Sequence, residues 1–140
     1  MSKTNAFEND LLLLIFNATA IADIAENDTT SPATTLTVSL HTADPGEAGD
    51  MTTNEATYTS YARVTVARTS GGWTVTGNSV SPAANIDFPT STGGTNTITH
   101  VGIGSGVSDD LMYKGAVTPN ISVTSGVTPR LTTASTITED

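Results

Sequence analysis

The chain has no cysteine, few basic residues and no long apolar run. Without cysteine it has no disulfides, no thiolate metal ligands and no cysteine nucleophile. Only 5 of its 140 residues are Lys or Arg, against 14 Asp or Glu, and the formal net charge is −9. Because phosphate groups are bound by clustered Lys and Arg, this balance argues against nucleic acid and against an anionic membrane surface as partners.

The longest apolar stretch, "LLLLIF" at residues 11–16, has six residues, whereas a membrane span requires about 20. A secretory signal carries positive charge before its apolar run, but here Glu8 and Asp10 precede it. We therefore expect neither membrane insertion nor a signal peptide.

The N-terminal residues predict one short helix, at about residues 5–17, followed by a polar connector at about residues 18–34. Asn5 and Glu8 have the spacing of a capping box. The apolar residues of this helix do not stay on one side, so it must be covered on most sides. It packs either on the chain's own sheet or partly on another subunit. The candidate contacts with a partner are Phe7, Leu11, Leu12, Leu13 and Phe16.

The remainder of the chain has the pattern of short strands. Threonine, which is β-branched and favours strands, accounts for 28 residues. Apolar and polar residues alternate in "TLTVSLHT" (35–42) and "YARVTVAR" (61–68), and similar stretches recur between turn signals. About eight strands at this spacing predict a mainly β fold, either an antiparallel β-sandwich of the jelly-roll or Ig-like type or a barrel. We expect a single domain over residues 1–140.

The stretch "HTADPGEAGD" (41–50) is the first candidate for chemistry. Its carboxylates, Asp44, Glu47 and Asp50, lie three residues apart and could bind a hard cation. However, the residue order of an EF-hand is absent, and Asp-Pro-Gly at 44–46 is a strong turn signal. The turn is the favoured interpretation, with the carboxylates bound to turn amides or left in solvent.

His41 and His100 are the only histidines, and both lie in strand-like stretches. Two histidines without cysteine are too few for a closed zinc site, and no GxSxG motif accompanies them. Ordinary side-chain hydrogen bonds are therefore predicted for both. Trp73 is expected in the core rather than in a sugar-stacking groove with Tyr58 and Tyr61. No catalytic residue, metal ligand or cofactor is predicted.

Six stretches of the chain together resemble a family of small bacteriophage virion proteins, usually labelled phage tail-fibre or capsid-fibre proteins. The resemblance extends over about residues 6–138, and its most distinctive parts are Leu40 to Gly49 and the segment from Glu55 to Arg63. The stretches are "NDLLLLIF", "TLTVSLHTADPGEAGD", "TNEATYTSYARVTVAR", "GWTV", "IDFPTSTGGTNTITHVGIGSG" and "LMYKGAVTPNISVTSGVTPRL".

The resemblance implies a non-enzymatic structural role in the virion, on the head surface or the tail, for a protein made in the host bacterial cytoplasm. One hypothesis is a capsid decoration or head-fibre protein bound to the major capsid protein. The alternative is a tail-associated fibre or adhesin that contacts a host surface glycan or protein. A glycan hydrolase is disfavoured, because no pair of carboxylates can be assigned to a cleft. Virion symmetry favours a homo-oligomer, such as a trimer.

Overall fold

The protein is described by a computed structural model that covers residues 5–20, 33–106 and 108–139. Strands dominate, and in this part of the chain they follow one N-terminal helix. The elements are α1 (Asn5–Asn17), β1 (Thr35–His41), β2 (Val64–Ala67), β3 (Trp73–Thr76), β4 (Ser79–Pro82), β5 (Ile86–Asp87), β6 (Asn96–Gly104), β7 (Leu111–Val123), β8 (Arg130–Leu131) and β9 (Ile137–Thr138).

The predicted mainly β class, with antiparallel strands and one N-terminal helix, is confirmed. None of the described sheets closes into a barrel, so the sandwich is the alternative with which the structure is consistent. Most of the predicted connector, residues 21–32, lies outside the described residues. No helix in the described ranges is long and apolar enough to cross a membrane.

The chain forms two compact units. The first is drawn from Met1–Thr34, Ala67–Ile86 and Leu131–Asp140, and the second from Thr35–Val66 and Asp87–Arg130. The expected single domain over residues 1–140 stays a prediction.

In the first unit, α1 packs on β3 and β4, and the sheet has the order β3-β4-β9. Leu12 and Phe16 of α1 are fully buried, and Phe16 meets Trp73 edge to face with ring centroids 4.9 Å apart. Truncating a buried aromatic residue to alanine typically destabilises a domain by about 3–5 kcal/mol. This contact is therefore a main source of the unit's stability.

The C-terminus of α1 is closed by backbone and side-chain donors. Ala18 has a positive φ of 54°, so the chain turns back at the helix end in the left-handed conformation, and the N–H of Thr19 donates to the carbonyl of Leu13 at 3.0 Å. Arg68 donates from Nε to the carbonyl of Ile15 at 2.6 Å and from Nη2 to the carbonyl of Leu14. These carbonyls have no partner inside a helix, and a cation there also compensates the helix dipole.

The second unit contains a sheet of order β2-β1-β6-β7. Strand β6 pairs antiparallel with β1 and with β7, and His41 lies opposite His100. The alternating residues Leu36, Val38 and Leu40 are buried as their pattern indicates. The intervening polar residues of β1 are buried too, because another segment covers that face: the carbonyl of Thr53 lies on His41, and Met51 packs against Gly104 of the neighbouring strand β6.

At β7 and β4 the strands differ from what the local sequence pattern indicates. The pattern alone indicates separate strands for "LMYKGAV" and "NISV", but they form the single strand β7. Pro119 lies inside it, which is tolerated because β7 is an edge strand and proline lacks only a ladder donor. Strand β4, with the short polar sequence "SVSP", has no clear apolar alternation and was not expected.

Candidate functional site

The loop of residues 41–50 is held as a turn against β7. The Oδ1 atom of Asp44 accepts the N–H of Gly46 at 2.8 Å, and Gly46 has a φ of 78°. The ammonium group of Lys114 lies 3.1 Å from carboxylate oxygens of both Asp44 and Glu47. The hydrogen bond from Gly46, followed by that from Lys114, lowers the pKa of Asp44. The predicted turn is confirmed at Asp44.

Asp50 has the same kind of role at the end of the loop. Its Oδ1 atom accepts the backbone N–H groups of Thr52 at 2.9 Å and Thr53 at 3.1 Å, together with both threonine hydroxyls. These hydrogen bonds, first those of Thr52, lower the pKa of Asp50. The described His, Asp and Glu side chains form no group of three suited to a metal ion. The loop carboxylates thus act on the protein's own amides and on Lys114.

His41 has a hydrogen-bond partner at each ring nitrogen. Its Nδ1 lies 2.8 Å from the carbonyl oxygen of Thr53, and its Nε2 lies 2.8 Å from the hydroxyl of Ser39. Because a carbonyl only accepts, Nδ1 carries the proton of the neutral ring and Nε2 accepts from Ser39. Burial lowers the pKa of His41. The prediction of ordinary hydrogen bonds is confirmed here.

The Ser39–His41 pair has the spacing of a nucleophile and its base, but it is closed to substrate. Both side chains are fully buried. A Cβ placed on Gly102 of β6 would lie 2.7 Å from both the Nε2 of His41 and the hydroxyl of Ser39. A reacting group needs room beside the nucleophile, and here backbone fills that space. His100 binds the hydroxyl of Thr99 at 2.9 Å, so the second histidine also makes a local hydrogen bond.

A polar cluster of Glu55, Tyr61, Arg63 and Asp109, called the Arg63 cluster below, borders this pair. Arg63 donates to Glu55 from Nε at 2.7 Å and from Nη2 at 2.8 Å, and to Asp109 from Nη1 at 2.6 Å. The hydroxyl of Tyr61 donates to Glu55 at 2.9 Å and accepts the N–H of Leu40 at 3.0 Å. Burial raises the pKa of Tyr61, and the bond to Glu55 adds to this, whereas the N–H of Leu40 acts in the opposite direction. Glu55 and then Asp109 raise the pKa of Arg63.

The Arg63 cluster joins three separated pieces of the second unit. Glu55 bridges to His41 at the end of β1, Arg63 precedes β2, and Asp109 lies between β6 and β7. The N–H of Met51 also donates to the carbonyl of Asp109 at 2.9 Å. A glycosidase acid–base pair must face its substrate, whereas these two carboxylates are held by one guanidinium. The arrangement fixes loops in place.

An open pocket of about 300 Å³ lies beside the Arg63 cluster. Its described lining residues are Thr37, Arg63, Gly106, Ser108 and Asp109. Arg63 is already bound to two carboxylates. These five residues bring together no nucleophile with a base.

The five residues expected to contact a partner have different environments in α1. Leu12 and Phe16 are fully buried in the first unit. Leu11 and Leu13 are half-buried, as are the neighbouring Leu14 and Ile15, and the side chain of Phe7 lies outside the described part. Their role in docking stays a prediction, and the apolar surface still available to a partner is that of the half-buried residues.

The aromatic residues pack inside the protein. Trp73 is 1 % exposed and Tyr58 is 3 % exposed. Tyr58 meets Tyr61 edge to face with centroids 5.3 Å apart, and Tyr61 stacks on Phe88 at 6.5 Å. Packing, rather than a groove for sugar stacking, is therefore confirmed for Trp73.

Sequence reasoning missed the contacts of Arg68 and the partners of Arg63. Arg68 lies 53 residues from Ile15, and Arg63 lies 46 residues from Asp109. One signal was available, because only five residues are basic and a basic residue in a strand pattern needs a nearby acceptor. Which acceptor it binds depends on the fold.

Comparison with known proteins gives one family. The family model described as podophage GP4 fiber I protein gp80 matches residues 2–138. No curated protein matches the chain. The family match agrees with the resemblance to phage fibre proteins that the sequence indicates.

Proposed function

Because the chain belongs to the podophage fiber I protein family, we propose that it is a structural protein that decorates the phage capsid and binds the major capsid protein. A fibre protein of this family is a component of the virion. The attachment to the head, the capsid protein as partner and the absence of catalysis are the proposed parts.

The proposal rests on the packing of α1, which is anchored in the first unit but keeps part of its apolar surface exposed. Leu12 and Phe16 anchor the helix in the first unit, and Arg68 holds its last carbonyls. Leu11 and Leu13 nevertheless keep part of their surface in solvent. Apolar surface on an anchored helix is a suitable docking site, since little conformational freedom is lost when a partner covers it. We assign this surface to the capsid contact.

A non-enzymatic role is supported by the polar side chains, which bind other groups of the protein. The buried Ser39–His41 pair has no room for a substrate, and the Arg63 cluster holds its own loops. Each candidate catalytic group in the described ranges therefore has a structural partner. Self-association into a cyclic oligomer, such as a trimer, completes the proposal, because virion components generally follow the symmetry of their attachment site.

The copy number of the protein in purified virions tests the proposal. Quantitative mass spectrometry against the major capsid protein is expected to give a comparable copy number. A particle map is expected to show density for the protein over the head. A few copies confined to the tail would contradict decoration and support the tail-associated fibre or adhesin.

A further inference from the structure

His41 connects β1 to the following segment at a position with no access to water. The segment, residues 50–56, is called the latch segment below. It is attached to β1 by the Nδ1 of His41 on the carbonyl of Thr53 and by two backbone bonds, Thr42 N to Asn54 O and Ala56 N to Leu40 O, each 2.8 Å long. The side chain of Met51, which belongs to this segment, is fully buried.

The two ring nitrogens of His41 and the hydroxyl of Ser39 all keep their hydrogen bonds only when the ring is neutral. The neutral ring donates from Nδ1 to Thr53 and accepts at Nε2 from Ser39. A second proton on Nε2 would point at the hydroxyl hydrogen of Ser39, which would have to turn away and lose its acceptor. A buried cation without full compensation is also strongly disfavoured. Protonation therefore removes a favourable arrangement and adds charge to a buried site.

The surroundings do not relieve this charge. The carbonyl of Thr53 and, to a smaller extent, Glu55 favour the protonated ring, but burial outweighs both and lowers the pKa of His41. Both oxygens of Glu55 are already bound by Arg63, and Arg63 itself opposes a second cation. His100, opposite His41 on β6, also opposes it. The backbone of Gly102 closes the space beside Nε2, so water cannot enter without movement of the strands. The latch segment is the hydrogen-bonded neighbour of His41 that lies outside the strands of this sheet.

We propose that His41 is a pH-sensitive latch that holds residues 50–56 on β1 when neutral and releases them when protonated. Release exposes the buried Met51 and frees the N–H of Ala56 from Leu40. It also separates Glu55 from the end of β1, so the surface that this unit offers a partner changes on acidification. The proposal does not depend on whether the protein lies on the head or the tail.

The two histidines allow a direct test in the full chain by NMR. The ring signals of His41 and His100 are titrated from pH 8 to pH 4, and amide protection factors are measured at both ends of the transition. We expect the pKa of His41 to lie below the ordinary histidine value of about 6.5, because the ring is buried. The protection factors of Ala56 and Met51 are expected to fall by up to about tenfold per pH unit as the pH is lowered from the ordinary histidine pKa to that of buried His41. Those of the paired β6–β7 amides are expected to stay unchanged.

The matched variants are His41→Gln and His100→Gln. We expect the acid-induced loss of protection to disappear in the first and to persist in the second. A His41 pKa at or above the ordinary histidine value of about 6.5 would overturn the proposal without any variant. Equal loss of protection across the whole sheet, which indicates global unfolding, would also overturn it, as would unchanged protection of Ala56.

Discussion

Arg63 binds Glu55 through two parallel hydrogen bonds, Nε to Oε1 at 2.7 Å and Nη2 to Oε2 at 2.8 Å. Both side chains are largely buried, with exposed fractions of 26 % and 18 %. Two N–H groups in a fixed fork match two carboxylate oxygens, and lysine cannot reproduce this arrangement. The pair thus fixes the segment from Glu55 to Arg63, which is among the most distinctive parts of the sequence.

Replacing Arg63 by lysine is expected to lower the free energy of unfolding by about 1–2 kcal/mol, because the charge remains but a charge-assisted hydrogen bond is lost. Urea denaturation followed by circular dichroism measures this change. Arg130→Lys is the matched control, since Arg130 also pairs with a carboxylate, Asp87, but in an exposed position. A similar loss in both variants would contradict the special role of Arg63.

Leu12 and Leu13 are neighbours in α1 with different expected roles. Leu12→Ser is expected to destabilise the monomer by about 3–5 kcal/mol, because Leu12 is fully buried. Leu13→Ser should change stability by less than about 1 kcal/mol but weaken binding to the capsid if the half-buried surface docks there. Thermal unfolding and co-sedimentation with capsids lacking the protein separate the two effects. Unchanged capsid binding by the Leu13 variant would count against α1 as the docking element.

Ala18 occupies a left-handed conformation, with φ of 54°, at the end of α1. A residue with a Cβ is disfavoured there by roughly 1 kcal/mol relative to glycine. Ala18→Gly is therefore expected to raise the free energy of unfolding by about that amount. The control is Ala62→Gly at an exposed site, which should lower stability, because glycine gains entropy in the unfolded chain. A loss of stability for Ala18→Gly would contradict a left-handed conformation of Ala18 at the helix end.

Arg68 donates to the carbonyls of Leu14, Ile15 and Ala33. Arg68→Gln is expected to destabilise the protein by about 1–3 kcal/mol, since helix-end carbonyls lose their donors. It should also increase proteolytic cleavage within α1. Limited proteolysis with mass spectrometry gives the cleavage sites. Faster cleavage in the strands than in α1 would argue that Arg68 stabilises the unit as a whole rather than its helix.

The helix and the strand character could be predicted from local patterns. Asn5 and Glu8 with the apolar run after them indicate a helix, and the alternation in "TLTVSLH" indicates a strand. Local pattern was less informative for β7, where Pro119 has the sequence signature of a turn but lies inside an edge strand. Whether a proline interrupts a strand depends on which neighbours that strand has, and this is a property of the sheet.

The sequence by itself determined that the chain is an acidic, cysteine-free, mainly β protein with an apolar N-terminal helix, and its distinctive stretches indicated the phage fibre family. These properties follow from composition and short-range periodicity. The tertiary structure decided that Leu12 is fully buried while Leu13 is only half-buried, that Arg68 caps the end of α1, and that Asp109 binds Arg63. Such contacts join residues far apart in the chain, and they form only where folding brings a donor and an acceptor to the same place.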